Sequence, residues 1–365
     1  MLIQRSLRVA VGVSAILVSS LSPASLWAGS YTQTNLVSDI PGLAAVTDSN
    51  LADPWGVAFS ATGPFWVSDN HTNVSTLYTG TPSTIPLIVA VPGGPTGQVY
   101  NSNSSAFVLA SNNKAARFIF DTQAGTILAW NGGTTAIPEY SNSRASYTGL
   151  AIGTSDDKTF IYAANAAGSV DVFNSSFAPT TLTGTFIDPT LPAGYVPYNV
   201  QAINGQLYVT FVKYNSAGTE IPSGIVDIFS TNGTFAKRFS SSSVLDAPWG
   251  ITLAPLSFGA FGGDILVGNF LNGYINAFDP FLGSFLGTLA DSNGNPISNP
   301  GLWALDLRTG GTGNSPSSLY FTAGIDGETH GLFGAISPTP EPSSFILAGM
   351  GVLSLIAARF RTSQA

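Results

Sequence analysis

The chain contains only two histidines, His71 and His330, and each has carboxylates close by in sequence. Asp69 precedes His71, and Asp326 and Glu328 precede His330. Two imidazoles with carboxylates make an adequate ligand set for a divalent metal, or an acid–base pair near neutral pH. The spacing is not that of a His-Glu-x-x-His zinc helix, so His71, His330, Asp69 and Asp326 can meet only if the fold brings them together. The plainer reading is two histidines in surface loops. A second constellation is aromatic and amide: Trp55, Tyr198, Trp249 and Trp303 with Asn70, Asn112, Asn165 and Asn269. Aromatic faces stack and amides hydrogen-bond, so a ring of them without cations suits neutral polar ligands such as glycans or peptides. The competing structural account is that these Trp residues pack element against element and the Asn residues close turns.

The aromatic and amide positions recur at regular intervals, and the histidines fall in the first and last of the repeated units, which points to the elements that position them. The segment Asp53 to Phe59 reads Asp-Pro-Trp-Gly-Val-Ala-Phe, and Ala247 to Leu253 reads Ala-Pro-Trp-Gly-Ile-Thr-Leu. Weaker versions begin near Thr96, Tyr147, Val196 and Pro300. Taking Pro54, Gly97, Gly149, Pro197, Pro248 and Pro300 as anchors, successive units are 43, 52, 48, 51 and 52 residues apart. Each unit holds three runs of β-formers separated by Gly, Asn or Asp turns, and several hold a fourth. In the second unit the runs are read as Thr96 to Tyr100, Ala106 to Asn112 and Ala116 to Phe120. Four strands in about 50 residues is the period of a propeller blade. The expected fold is therefore all-β, a six-bladed β-propeller, with a seven-bladed ring or a pair of β-sandwiches as alternatives. The sixth unit runs out after Ile336, and Tyr31 to Val37, stranded before the first unit, can supply its outer strand. Sharing one blade between both ends of the body removes open edges. In such a ring the starts of the inner strands and the ends of the second strands share one face, where both constellations would lie.

Composition agrees with this reading and excludes others. Charged residues are 9% of the chain, Gly numbers 40, and there is no Cys. Six Trp, 12 Tyr and 23 Phe supply ample core. Without disulfides, stability must come from burial and ring closure. Residues 29–338 carry 8 basic and 19 acidic residues, a net charge of −11. Lys237-Arg238 is the sole basic cluster there, so nucleic-acid binding, which needs phosphate-neutralising cations, is disfavoured. No P-loop, Gly-x-Ser-x-Gly elbow or dinucleotide fingerprint is present. Asp291-Ser-Asn-Gly-Asn295 lacks the distal glutamate of a calcium loop.

The termini bear on location. Arg5 and Arg8 precede an apolar run, Val9 to Leu21, and Leu26-Trp27-Ala28 offers a cleavage point after Ala28, the pattern of a Sec signal peptide. At the other end, Pro340-Glu341-Pro342 is followed by an uncharged run, Phe345 to Ala358, and by Arg359 and Arg361. The run is short for a bilayer span, which snorkelling arginines partly offset, and the terminal arginines favour a cytoplasmic end. This tail resembles the PEP-CTERM sorting signal of bacterial exported proteins, a resemblance that implies recognition and processing by an exosortase. The unit pattern Pro-Trp-Gly-[Val/Ile]-x-[Phe/Leu], a strand ending in Asn, then Gly-x-[Val/Ile]-[Asp/Asn]-x-Phe is similar to that of NHL-type propellers. The whole body also resembles a group of exported bacterial propellers that often carry this tail. That resemblance implies a fold and a location, and brings no catalytic residues.

The expected organisation is a signal peptide (1–28), the propeller (29–336), a linker with the Pro-Glu-Pro motif (337–344), a transmembrane segment (345–358) and a basic cytoplasmic tail (359–365). The expected partners are the Sec translocon and signal peptidase, an exosortase-type enzyme, the membrane before processing, and an extracellular glycan or polymer. The expected function is a surface-sorted binding or structural module of the cell envelope or extracellular matrix. No resident cofactor is expected, a divalent metal being the one left open. The alternative is a metal-dependent lactonase-like or lyase-type propeller enzyme.

Overall fold

The computed structural model describes residues 30–81, 83–308 and 316–339. They form six sheets arranged as the blades of a propeller, five built from one sequence unit each and the sixth completed by the N-terminal segment. The inner strands are Pro54–Phe59, Pro95–Tyr100, Tyr147–Ser155, Tyr195–Ile203, Pro248–Leu253 and Leu302–Leu307, one for each of blades 1 to 6. Each runs from what is here called the upper face to the lower face, and the second strand returns. Hydrophobic clusters fill the spaces between neighbouring blades, so the core is a set of wedges around an axis.

All six inner strands break register near their upper end, between Pro54 and Val57 in blade 1 and at matching positions in the others. A bulge re-aims side chains, and here the re-aimed positions include Trp55, Tyr198, Trp249 and Trp303. The next residue is small in five blades: Gly56, Gly97, Gly149, Gly250 and Ala304. At Gly97 a Cβ would lie 2.2 Å from the Leu150 amide nitrogen of blade 3, and at Gly149 it would meet Asn199 of blade 4. Glycine at these points lets adjacent inner strands approach and narrows the axis. In blade 4 the position is Asn199, whose Nδ2 donates to the Trp249 carbonyl at 2.9 Å and so ties blade 4 to blade 5. Gly97→Ala is expected to destabilise the protein by about 2 kcal/mol through overpacking against backbone. Urea unfolding checks it; a variant as stable as the parent would mean that the strands separate freely there.

Ring closure follows the expected route. Tyr31–Ser38 forms the outer strand of blade 6, antiparallel to Leu332–Pro338, paired from Tyr31 opposite Pro338 to Ser38 opposite Leu332 with one bulge between Asn35 and Val37. The pairing extends two residues past Ile336, and the Thr339 amide donates to the Ser30 carbonyl at 2.8 Å. The chain therefore enters and leaves the ring at one point, on the lower face of blade 6.

Blade 2 departs from the sequence reading. Its second strand is Phe118–Thr122, not Ala106 to Asn112, and Thr126–Trp130 is its third strand. Residues 101–117 are an insertion carrying a small hairpin, Val108–Leu109 with Lys114–Ala115. Asn101 closes the insertion, its Nδ2 donating to the Ala106 and Ala116 carbonyls. The run Ala106 to Leu109 is apolar because Phe107 is fully buried against Phe177 of blade 3, with ring centroids 5.1 Å apart. It anchors the insertion and does not form a ladder. Blade 3 has three strands; the segment after Phe173 crosses to blade 4, where the Gly184 and Phe186 amides bond to the turn at Asn232 and Gly233.

Candidate functional site

The upper end of the axis is closed by aromatic side chains. Trp55 and Trp303 stack with centroids 3.5 Å apart, Trp249 stands edge-on to both, and Tyr198 and Phe270 complete the group. Trp55, Trp249, Trp303 and Tyr198 are all buried. The ring faces expected to meet a ligand are occupied by one another. Asp53 locks the plug. Its Oδ2 accepts the Trp55 indole N–H at 2.9 Å and its Oδ1 accepts that of Trp303 at 3.1 Å. Burial pushes the Asp53 carboxyl up to about 6, with the two indole bonds opposing. Trp249 donates across the axis to the Thr148 carbonyl of blade 3 at 2.8 Å.

The strand-end amides are likewise engaged in structure. Asn165 accepts from the Ser146 amide and Asn269 from the Asp246 amide, each holding the segment that leads into its own blade's inner strand. Asn70 donates to the Pro95 carbonyl at 3.3 Å. Asn112 is not on this face: it sits exposed on the blade 2 hairpin, paired with Asn131.

The histidine–carboxylate quartet does not assemble. Asp69 is fully buried and accepts from Thr76 at 2.7 Å, and burial holds its carboxyl well above the usual range. His330 pairs through Nδ1 with Asp39 at 2.7 Å, which raises its pKa. His71 and Asp326 are exposed. Among the described residues no group of three or more His, Asp or Glu side chains is arranged to hold a metal ion. Pro340, Glu341 and Pro342 lie outside the described residues.

Two other features stand out on the axis. Beside the plug, on the upper face between blades 5 and 6, lies a cleft of about 580 Å³ lined by Phe270, Leu271, Asn299, Ile325 and Glu328, with Gln33 and Asn35 of the N-terminal strand. Its rim is a left-handed turn: Asp326, Gly327 and Glu328 have φ of 52°, 65° and 66°. Two non-glycine residues in that region are strained, and such strain concentrates at functional sites. Burial pushes the Glu328 carboxyl up to about 7, reinforced by the negative charges of Asp53 and Glu220 and opposed by His71. Glu220 itself accepts from the Tyr198 hydroxyl at 3.3 Å. At the lower mouth a second cavity, about 270 Å³, is lined by Gln201, Asp306, Tyr100 and Ile152. Burial pushes Asp306 up to about 7. A carboxyl near neutrality can donate or accept a hydrogen bond at pH 7, so each mouth carries one group suited to a hydroxyl-rich ligand. Sequence reading passed over Glu328 as a site in its own right and missed Asp306. A signal for the latter existed: Gln201, Thr252 and Asp306 each lie three residues after an axial aromatic, where blades 1 to 3 have Ala58, Val99 and Ala151.

Comparison with known proteins bears on the tail and on the fold. Residues 338–361 match the PEP-CTERM protein-sorting motif. The chain ends in a PEP-CTERM sorting signal. That signal implies export, membrane-associated sorting and processing by an exosortase-type enzyme. The chain as a whole is similar to two proteins of Acanthamoeba polyphaga mimivirus. R648 is 29% identical over 321 residues, covering 82% of this chain and 78% of that protein. L690 is 27% identical over 325 residues, covering 82% and 84%. A third mimivirus protein, R640, is 31% identical over 250 residues, and the match spans 45% of its length. Among solved structures, the calcium-binding protein regucalcin from Agrobacterium tumefaciens superposes with a TM-score of 0.52 at 12% identity, covering 81% of this chain and 95% of that one. A glucose dehydrogenase gives 0.52 at 10% identity, covering 84% and 100%. At such identities the likeness shows the propeller fold alone.

Proposed function

We propose that this PEP-CTERM protein is a surface-sorted module that binds a neutral, hydroxyl- or amide-rich polymer, a glycan or a peptide of the envelope or extracellular matrix, in the upper cleft beside the tryptophan plug. In this reading residues 1–28 direct export, Pro340-Glu341-Pro342 is read by the sorting enzyme, and 345–358 holds the chain in the membrane until processing. The observation that carries the binding role is the cleft itself. Phe270 and Leu271 give it an apolar floor, Gln33, Asn35 and Asn299, hydrogen-bonded to one another, line it with amides, and Glu328 stands at its rim. No cation faces it among its described lining residues, which suits a neutral ligand. The full-length chain in detergent should be retained by one member of a panel of neutral oligosaccharides and peptides. Glu328→Ala should weaken that interaction about tenfold, the loss of one hydrogen bond to a near-neutral carboxyl. Asp306→Asn, at the opposite mouth, should leave it unchanged. Retention by no member of the panel, or equal binding by Glu328→Ala, would sink this reading.

The enzyme alternative draws support from the same two carboxyls, since a group titrating near 7 is poised for acid–base work. Turnover of a lactone panel that disappears in Asp306→Asn or Glu328→Gln would favour it.

A further inference from the structure

The lower face of blade 5 carries an exposed apolar patch that the binding reading does not use. Nine large hydrophobic side chains are exposed among the described residues, and five of them belong to this blade: Leu256, Phe281, Leu282, Phe285 and Leu286. Leu256, Phe281 and Leu282 are the most exposed of all, at 88%, 80% and 78%. The other four, Leu43, Ile88, Val108 and Ile187, are scattered over other parts of the ring. The five sit on the two lower loops of one blade and the strand that follows; apolar residues gathered on one face mark an interaction site, whereas scattered single residues do not.

The patch is built, not frayed. Asp279 Oδ1 accepts the Phe281 and Leu282 amides at 2.8 Å each, holding the turn that presents them, and Lys237 Nζ donates to the Phe281 carbonyl. Gly283 lies against the Phe239 carbonyl, which fixes the turn to blade 4. Leu256 stands on the neighbouring lower loop, which Phe258 and Phe261 root in the core against Tyr31.

Where the chain leaves the ring decides what covers this patch. Pro338 packs on Gly259, three residues from Leu256 in the same loop. Five residues, 340–344, then separate Thr339 from the apolar run that starts at Phe345. Even fully extended, that connection reaches only about 20 Å. A tail held in a bilayer therefore keeps the exit point at Thr339, and the Gly259 loop packed beside it, within about 20 Å of the lipid surface. We propose that the lower face of blade 5 docks on the membrane, with Leu256, Phe281 and Leu282 inserted among the lipid headgroups and upper acyl chains while the sorting tail is in place. The upper cleft then faces away from the membrane, toward extracellular polymer. Asp264 and Asp279 flank the patch beside Lys237, so apolar insertion and not attraction to anionic lipid drives docking. The proposal rests on the tail being membrane-held.

The chain has no cysteine, so single labels are clean. Fluorophores are placed on Leu256→Cys, Leu282→Cys, Ala167→Cys on the upper face, and Ser354→Cys within the tail run. Each full-length variant is reconstituted in phosphatidylcholine vesicles with and without nitroxide-bearing acyl chains. The expected result is at least about twofold quenching at positions 256, 282 and 354, insensitive to added salt, with position 167 unaffected. Quenching at 354 alone overturns docking and leaves the membrane-held tail standing. No quenching at any position overturns both. Label–label contact at 282 without lipid quenching means that a second copy covers the patch, and also overturns the proposal. The substituted side chains at 256, 282 and 167 are exposed, so folding of the ring is not at stake.

Discussion

Asp53→Ala should cost the protein about 3–5 kcal/mol of unfolding free energy, a drop in melting temperature on the order of 10 °C. The substitution removes the shared acceptor of two buried indole N–H groups, those of Trp55 and Trp303. A buried donor left without a partner costs roughly 1–3 kcal/mol, and here there are two in one plug, on blades 1 and 6, the pair that closes the ring. Backbone strain is not the cause. Asp53 has φ of 49° before a proline, but Ala247, at the same place in blade 5, has φ of 52° before Pro248. The conformation therefore accepts alanine. Asp53→Asn, which keeps one good acceptor, should lose less than half as much. Chemical unfolding of the three proteins checks this, and near-ultraviolet circular dichroism should lose the signal of the stacked Trp55–Trp303 pair in the alanine variant. An alanine variant within about 1 kcal/mol of the parent would mean that the plug holds by packing alone.

The second large effect concerns pH. The propeller should become more stable as the solution is acidified from pH 7.5 to 5, by about 3–5 kcal/mol, or roughly 5–10 °C in melting temperature. Burial raises the carboxyls of Asp53 and Asp227 to about 6 and those of Asp121, Asp306 and Glu328 to about 7. The unfolded chain keeps them near 3.8 to 4.5, so between those values the folded state binds more protons and stability falls as pH rises. The stabilisation is fully present below the unfolded values and is lost as pH rises through 6 to 7. Each pKa unit corresponds to about 1.4 kcal/mol per group; the smaller total allows for the solvent that reaches Glu328 and Asp306. Groups of opposite sign act lower: Asp188, held down mainly by hydrogen bonds from Thr190 and by Arg238 against the cost of its burial, and Asp291, held down by its turn amides, lose their contribution only as pH falls below the ordinary carboxylate range. Asp121→Asn should flatten the slope, because Asp121 accepts from Thr96 and Gly97 with one oxygen while its other oxygen has no partner. A melting temperature that is flat or falls between pH 7.5 and 5 would show these carboxyls to be ionised and hydrated in the folded state.

These two effects share an origin. A propeller without disulfides and with few charges must close its axis with what its inner strands offer. This chain closes it with indoles, two of them oriented by the one carboxyl of Asp53. A low-dielectric axis makes each satisfied hydrogen bond there count for more and each ionised carboxyl cost more.

The sequence by itself determined the ring. Repeated Pro-Trp-Gly starts and β-forming runs at intervals near 50 residues require six similar sheets, because each unit buries its faces only against its neighbours. The stranded segment Tyr31 to Val37 and the short sixth unit likewise foretold closure, since an unpaired strand and a missing edge have one shared solution. Local signals of this kind survive folding because they act within a unit. What the tertiary structure decided lies between units. Whether Trp55 and Trp303 face a ligand or each other depends on how closely the inner strands approach, which Gly97 and Gly149 permit only in the context of the neighbouring blade. Asn112 matched the strand-end pattern, yet Phe107 found its partner in Phe177 of blade 3, and the segment stands outside the blade's sheet. His71 and His330 fell in adjacent blades as read, but Asp39, far from His330 in sequence, took its imidazole. Asp306 and Glu328 acquired their proton affinities from partial burial that only the folded ring supplies. A single unit's residues cannot specify a contact whose other half is some 50 or more residues away; only the closed ring does.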